Sequence, residues 1–150
     1  MILLDSNVVV YAHAAHSPFF EAAKRLRDQA VHGELEACIS PQVMCEFIAT
    51  CTNPKLFRPA LTPAQAVKES IAYWTSPNIR KILPKDRTIE RMAGLIAHHR
   101  LIGQHIYDVF LVATMLDNDV RTIYTLNTKD FERYPDIRVV NPFHERSLSP

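Results

Sequence analysis

Short apolar runs that end in polar residues alternate along the chain with segments whose apolar residues recur at helical spacing. The first run, Ile2–Leu4, predicts a buried parallel strand, and Asp5 follows it directly. Because strands alternate with helices, the pattern predicts an α/β fold with a central, mostly parallel sheet and helices on both faces. Four later segments are also predicted to be strands, at 36–39, 79–83, 121–126 and 138–140.

Helix starts are predicted where a capping side chain precedes a proline. Ser17-Pro18 and Ser40-Pro41 both have this form, and Gly33 is expected to end the first of the two helices. Thr62 and Gln65 have the spacing of a capping box. The helix that follows Thr62 is expected to direct three side chains toward the core: Val67, Ile71 and Trp74.

Acidic and amide side chains stand at the ends of predicted strands or at the starts of predicted helices. Asp5 and Asn127 each follow a strand, Glu46 lies on the opening turns of the helix after Ser40-Pro41, and Asp108 stands early in a later helix. In open parallel sheets, ligands bind outside the carboxyl ends of the strands. We therefore expect these four side chains to lie at the same edge of the sheet.

Carboxylates that are brought together repel one another unless protons or a cation neutralise them. Oxygen ligands favour hard cations, and a site of few carboxylates and waters suits Mg²⁺, with Mn²⁺ as the second candidate. The chemistry that this arrangement predicts is metal-assisted phosphodiester hydrolysis, which needs no nucleophile from the protein.

Length and composition restrict the class of protein. A chain of 150 residues is expected to form a single domain over 1–150, and its 47% hydrophobic and 22% charged residues are ordinary for a globular protein. No apolar stretch reaches the length of a membrane span, and the N-terminal residues lack the features of a signal peptide, so we expect a cytoplasmic protein. The net charge of +1 does not support a long basic groove for nucleic acid.

Cysteine and histidine spacing gives no support to a zinc site. The sequence has no C-x-x-C or H-E-x-x-H motif, so neither a disulfide framework nor a zinc site is expected. The histidines, including His98, His99 and His105, are expected to occupy the surface without a metal. The cysteines are expected to be small core residues: Cys38, Cys45 and Cys51.

Four segments, taken in order, resemble the motifs of PIN-domain ribonucleases, and in particular those of VapC toxins. They are residues 1–12 (MILLDSNVVVYA), 40–47 (SPQVMCEF), 105–113 (HIYDVFLVA) and 125–131 (TLNTKDF). The resemblance covers nearly the whole chain and implies a three-layer α/β/α fold and an Mg²⁺- or Mn²⁺-dependent endoribonuclease. It also implies an RNA substrate, a homodimer, and a cognate antitoxin protein that holds the toxin of a type II toxin–antitoxin pair inactive.

The resemblance also implies roles for individual residues. The first three motifs make Asp5, Glu46 and Asp108 the metal ligands and the catalytic acids. Two polar residues are implied to orient ligands or waters at the cofactor: Asn7 and Thr125.

The fourth motif departs from the family pattern. Many relatives have an aspartate at the position of Asn127, whose amide oxygen can coordinate a cation but carries no charge. Asp130 either supplies the missing acid and joins the catalytic residues, or it caps a turn or starts a helix. The sequence leaves both interpretations open.

Each acid taken alone also has an ordinary structural interpretation. Asp5 is compatible with a turn, Glu46 with an exposed helix position, and Asp108 with a favourable charge near a helix N-terminus. Their joint placement at one sheet edge favours a site. The alternative function is a non-catalytic PIN-fold module that binds RNA or a protein without cutting.

Overall fold

A five-stranded, wholly parallel sheet forms the centre of the computed structural model, which describes residues 1–144. The strand order is β3-β2-β1-β4-β5. This arrangement confirms the predicted α/β class. The strands are β1 (Ile2–Leu4), β2 (Ala37–Ile39), β3 (Arg80–Lys81), β4 (Thr122–Tyr124) and β5 (Arg138–Val140).

Seven helices connect or follow these strands within the described residues, and two of them were not predicted. The first, Ser6–Tyr11, and the last, Thr128–Phe131, are too short for an apolar repeat to reveal them. Both begin at the carboxyl edge of the sheet. In chain order the helices are α1 (Ser6–Tyr11), α2 (Phe20–His32), α3 (Pro41–Cys51), α4 (Pro63–Thr75), α5 (Thr88–His99), α6 (His105–Asp117) and α7 (Thr128–Phe131).

Strand β1 lies in the middle of the sheet, between β2 and β4. Leu3 pairs with Cys38 of β2 on one side and with Ile123 of β4 on the other, and the connections that follow β1 and β4 lead to opposite sides of the sheet. Such a switch point opens a crevice at the carboxyl ends of the two diverging strands. The fold thus places the residues after β1 and after β4 side by side.

Two of the three predicted helix starts are confirmed. The Ser40 hydroxyl accepts a hydrogen bond from the Val43 amide at 3.3 Å, and Thr62 and Gln65 form the reciprocal capping box. The predicted start at Ser17-Pro18 was wrong. The Ser17 hydroxyl accepts from the Phe19 amide at 3.1 Å in a turn that precedes α2, and the helix begins only at Phe20.

The predicted core face of α4 was wrong for Val67 and Ile71 but holds for Trp74, which is partly buried and packs against the core. Its buried residues are Ala66, Ser70 and Tyr73, whereas Val67 is 43% exposed and Ile71 is 54% exposed. The Tyr73 ring packs edge-on against Phe47 of α3, and the apolar stripe formed by Val67, Ile71 and Trp74 lies beside this contact. Together with Pro41, Met44, Cys45 and Ile48 of α3, the stripe lines an apolar cavity of about 300 Å³.

The cysteine prediction holds in part. Cys38 and Cys51 are buried in the core, whereas Cys45 is exposed on α3. Within residues 1–144, no helix is both long enough and apolar enough to cross a membrane.

Candidate functional site

Asp5 lies at the carboxyl end of β1 and caps helix α1. Its Oδ1 accepts a hydrogen bond from the Ser6 amide at 2.7 Å, and its Oδ2 accepts from Asn7 Nδ2 at 2.8 Å and from the Thr125 hydroxyl at 2.6 Å. Only 5% of Asp5 is exposed. Three donors thus fix the orientation of a buried carboxylate at the switch point.

The same network joins the ends of β1 and β4. Asn7 Nδ2 also donates to the Thr125 hydroxyl at 3.0 Å, and Asn7 Oδ1 accepts from the Leu126 amide at 3.1 Å. The Asn127 amide donates to Thr125 Oγ1 at 3.0 Å. Asn7 and Thr125 therefore orient Asp5, while Asn127 contributes its main chain to the network.

Glu46 lies on the second turn of α3 and is held by a neighbour on the same helix face. Gln42 Nε2 donates to Glu46 Oε1 at 2.9 Å and to the carbonyl of Tyr107 at 3.0 Å. Gln42 therefore links the carboxylate of α3 to the first turn of α6. Gln42 was not among the predicted site residues, although its spacing of four residues from Glu46 indicates a shared helix face.

Asp108 and Asp130 come together with a histidine. One potential ligand atom from each of Asp108, Asp130 and His105 lies within 4.8 Å of the other two. The nearest contact between His105 and Asp108 joins Nδ1 and Oδ2 at 3.8 Å. His105 was expected to be a surface residue without a role, yet its spacing of three residues from Asp108 on a helix indicates this shared face.

Burial and neighbouring carboxylates change the ionisation of the site. The pKa of Asp5 is raised from 3.8 to about 6, and burial is the largest cause. The charges of Glu46 and Asp108 also raise this pKa, whereas the hydrogen bonds from Thr125 and Ser6 lower it. The pKa of Asp108 is also raised, first by burial and then by the charge of Asp130. These acids therefore lie close enough to repel one another.

The predicted residues and His105 thus form two groups at one edge of the sheet. One is the hydrogen-bonded group around Asp5, and the other contains Asp108, Asp130 and His105. Glu46 acts electrostatically on both Asp5 and Asp108. Over the described range 1–144, the only set of three or more candidate ligands that all lie within 4.8 Å of one another is the second group.

Comparison with known proteins assigns the family. A sequence profile described as "PIN domain" matches residues 2–137. The chain belongs to the PIN domain family. A curated member of similar length, Ribonuclease VapC48 of Mycobacterium tuberculosis, is 26% identical over 142 residues, which cover 93% of this chain and 95% of the relative.

Solved structures share the fold of this PIN domain. The crystal structure of VapC20 from Mycobacterium tuberculosis, described as a Sarcin-Ricin loop cleaving toxin, superposes with a TM-score of 0.68 at 16% identity and covers 89% of this chain and 95% of that one. A toxin-antitoxin complex from Klebsiella pneumoniae gives a TM-score of 0.61 at 18% identity, with coverage of 96% and 99%. These likenesses confirm the predicted PIN-like α/β/α fold.

The side chains at this edge of the PIN domain fit a divalent cation. The donors are carboxylate oxygens and one imidazole, and no lysine or arginine forms an ion pair with Asp5, Glu46 or Asp130 in the part of the chain that is described. The buried hydroxyl of Tyr134, whose pKa is raised by burial and by the charges of Asp108 and Asp130, has no hydrogen-bond partner within the same range. A cation would relieve the repulsion that raises the pKa values of the acids.

Proposed function

We propose that this PIN domain is a divalent-metal-dependent endoribonuclease and the toxin component of a toxin–antitoxin pair. The observation that carries the proposal is the set of mutually repelling carboxylates around the buried Asp5, at the switch point of the sheet. The name of the relative VapC48, a ribonuclease, supports RNA as the substrate. Mg²⁺ is the expected cation, with Mn²⁺ as a substitute, because the donors are mainly carboxylate oxygens.

The proposed ligands are Asp5, Glu46 and Asp108, with Asp130 as a fourth acid beside Asp108. A bound cation would supply an activated water for attack on the phosphodiester and would stabilise charge on the phosphate oxygens. His105 Nδ1 lies 3.8 Å from Asp108 Oδ2, which is too far for a direct hydrogen bond, and it adds an imidazole nitrogen to the possible ligands.

Other residues would hold the acids in position. Thr125 and Asn7 fix the Asp5 carboxylate through hydrogen bonds of 2.6 and 2.8 Å. Gln42 fixes Glu46 through a bond of 2.9 Å. These contacts orient the proposed ligands before any substrate binds, and such orientation by outer groups supports both metal affinity and activity.

The first experiment measures cleavage of single-stranded RNA by the purified protein. The wild type is expected to cut RNA in Mg²⁺ or Mn²⁺ and to stop in EDTA, and Asp5→Asn is expected to lose most of the activity at limiting metal. Asp86→Asn, a change of an exposed carboxylate in a loop, is the matched control and should retain activity. If Asp5→Asn cleaves RNA at the wild-type rate, Asp5 is not a metal ligand. If the wild-type protein binds RNA but does not cleave it, the non-catalytic module is favoured.

A second experiment tests the metal site without RNA. Mn²⁺ is expected to raise the melting temperature, because a ligand at a hundred times its dissociation constant adds about 2.7 kcal/mol to the stability of the folded state. The gain should be larger at neutral pH than at pH 5, since protons compete for the same carboxylates, and Asp108→Asn should reduce it. A melting temperature that does not respond to Mn²⁺ at neutral pH would contradict the metal site.

The partner proposals need separate measurements. The Klebsiella pneumoniae structure is a toxin–antitoxin complex, and this supports a cognate antitoxin for the present chain. Coexpression with a short neighbouring reading frame should suppress both growth inhibition and RNA cleavage. The homodimer remains a prediction, and light scattering on the purified protein measures it directly.

A further inference from the structure

A cleft of about 310 Å³ opens beside the carboxylate site, and the acids do not line it. It lies between α1, the C-terminal end of α3 with the loop that follows, and the turn between β4 and α7. Its volume is at the lower end of the range of roughly 300–1,000 Å³ that is typical of small-molecule sites. The residues that line it are Ser6, Asn7, Val10, Tyr11, Thr50, Leu56 and Asn127.

One side of the cleft is aromatic and well supported. The Tyr11 ring packs edge-on against Phe19 at a centroid distance of 5.1 Å and against Phe143 at 5.8 Å, and the latter two rings stack on each other. Leu56, in the loop after α3, is 67% exposed although it lines the cleft. An aromatic ring and an exposed aliphatic side chain thus border the same small space.

The polar side of the cleft contains two asparagines with different roles. The Asn7 amide group is engaged on both atoms, since Nδ2 donates to Asp5 and Thr125 and Oδ1 accepts from the Leu126 amide. The Asn127 side chain makes no capping hydrogen bond to α7, and only its main-chain amide takes part in the network around Asp5. Among residues 1–144, no group therefore hydrogen-bonds the side-chain amide nitrogen or oxygen of Asn127, and both can bind a ligand in the cleft.

The cleft continues directly from the proposed reaction site. Asn7, which lines the cleft, donates to the Asp5 carboxylate at 2.8 Å. On α3, Thr50 lies one helical turn after Glu46 and on the same face, about 6 Å farther along the helix. A group in the cleft would therefore lie about one nucleotide away from a phosphate at the acids.

Unpaired bases of RNA are bound by stacking on aromatic rings and by hydrogen bonds to their edges. We propose that this cleft binds one base of a single-stranded RNA next to the scissile phosphate. The base contacts Tyr11 and Leu56, and the side-chain amide of Asn127 forms hydrogen bonds with the edge of the base. The inference rests on the proposed ribonuclease function. It gives Asn127 the role of selecting the base, and not the role of a weak metal ligand.

The test uses two readouts on the full-length protein. Sequencing the ends produced from a randomised single-stranded RNA gives the base frequencies on either side of the cut. Fluorescence anisotropy in EDTA measures the binding of labelled homo-oligomers of adenylate, cytidylate and uridylate. The variants are Asn127→Ala and Leu56→Ala, whose side chains are exposed, with Gln29→Ala, an exposed amide on α2, as the matched control.

Asn127→Ala and Leu56→Ala are expected to weaken binding of the best oligomer by about fivefold or more, in line with the loss of one base contact. Asn127→Ala should also flatten the base preference at one position beside the cut without raising the metal concentration that cleavage needs. Gln29→Ala should match the wild type. Tyr11→Leu, which keeps apolar contact with the neighbouring rings, should weaken binding if it folds.

Several results would overturn the proposal. Unchanged binding and base frequencies in both cleft variants would show that no base occupies the cleft. A raised metal requirement with unchanged base frequencies in Asn127→Ala would assign that residue to the metal site. A wild type that binds the oligomers but never cuts RNA would contradict the ribonuclease function, and the anisotropy data would still decide for or against the cleft.

Discussion

Ionisation of Asp5 is expected to destabilise the metal-free protein as the pH rises. Asp5 is 5% exposed, and its pKa in the folded protein is raised from 3.8 to about 6. A raised pKa means that the folded state holds the proton more tightly than the unfolded state between these two values. Stability from this group is therefore full below pH 4 and is lost as the pH rises toward 7.

The size of the effect follows from the two pKa values. Between pH 4 and pH 7, the difference in Asp5 ionisation lowers the free energy of unfolding by roughly 2–3 kcal/mol. Asp5→Asn cannot ionise and should lack this loss. The variant also loses hydrogen bonds, because an amide cannot accept from all three donors around it, but that cost is the same at every pH.

The measurement is urea or thermal unfolding of the wild type and of Asp5→Asn in EDTA between pH 4 and pH 7. The free energy of unfolding of the wild type minus that of the variant should fall by roughly 2–3 kcal/mol across this range. For a chain of 150 residues this corresponds to roughly 5–10 °C in melting temperature. Asp86→Asn, an exposed carboxylate, is the control for loss of a charge. A difference between wild type and Asp5→Asn that does not change with pH would refute the reasoning.

Three further changes test other parts of the structure. Asp130→Asn should raise the metal concentration needed for cleavage because it removes a charge beside Asp108, and Asn127→Asp should lower it because it adds a charge to the turn after β4; a silent Asp130→Asn would assign that residue to structure. Gln42→Ala should also raise the metal concentration needed for cleavage, by up to about tenfold, because it releases the Glu46 carboxylate. Cleavage measured over a range of metal concentrations tests this, and a curve equal to that of the wild type would contradict the prediction. Thr62→Ala should cost about 1 kcal/mol of stability in urea unfolding without changing cleavage, because it removes only a helix cap.

The sequence predicted the acids of the site better than the contacts between them. Asp5 could be placed because a strand that ends in a polar residue delivers it to the ligand-binding edge of a parallel sheet. Its hydrogen bond with Thr125 spans 120 residues and depends on β1 lying next to β4, which no local pattern encodes. The packing of Asp130 against Asp108 depends in the same way on the four-residue helix α7, which is too short to show periodicity.

The errors on α4 have a different physical origin. Periodicity indicates which side of a helix is apolar, but not whether the protein's own core or another surface covers that side. Here Ala66, Ser70 and Tyr73 are buried and the Tyr73 ring packs against Phe47 of α3, whereas Val67 and Ile71 are exposed at a cavity that α3 also lines. The apolar repeat does not distinguish between these two adjacent faces of the helix.

The two halves of the site differ in how firmly the protein holds them. The Asp5 carboxylate accepts three hydrogen bonds and is almost fully buried, so its position is fixed by β1 and β4 before any ligand binds. The Asp108 side chain is 31% exposed, and its contact with His105 is a long 3.8 Å. If a cation binds both halves, as proposed, mainly the side chains on α6 and α7 would have to move. The proposal therefore gives the buried Asp5 the fixed position in the site and expects the acids opposite it to adjust.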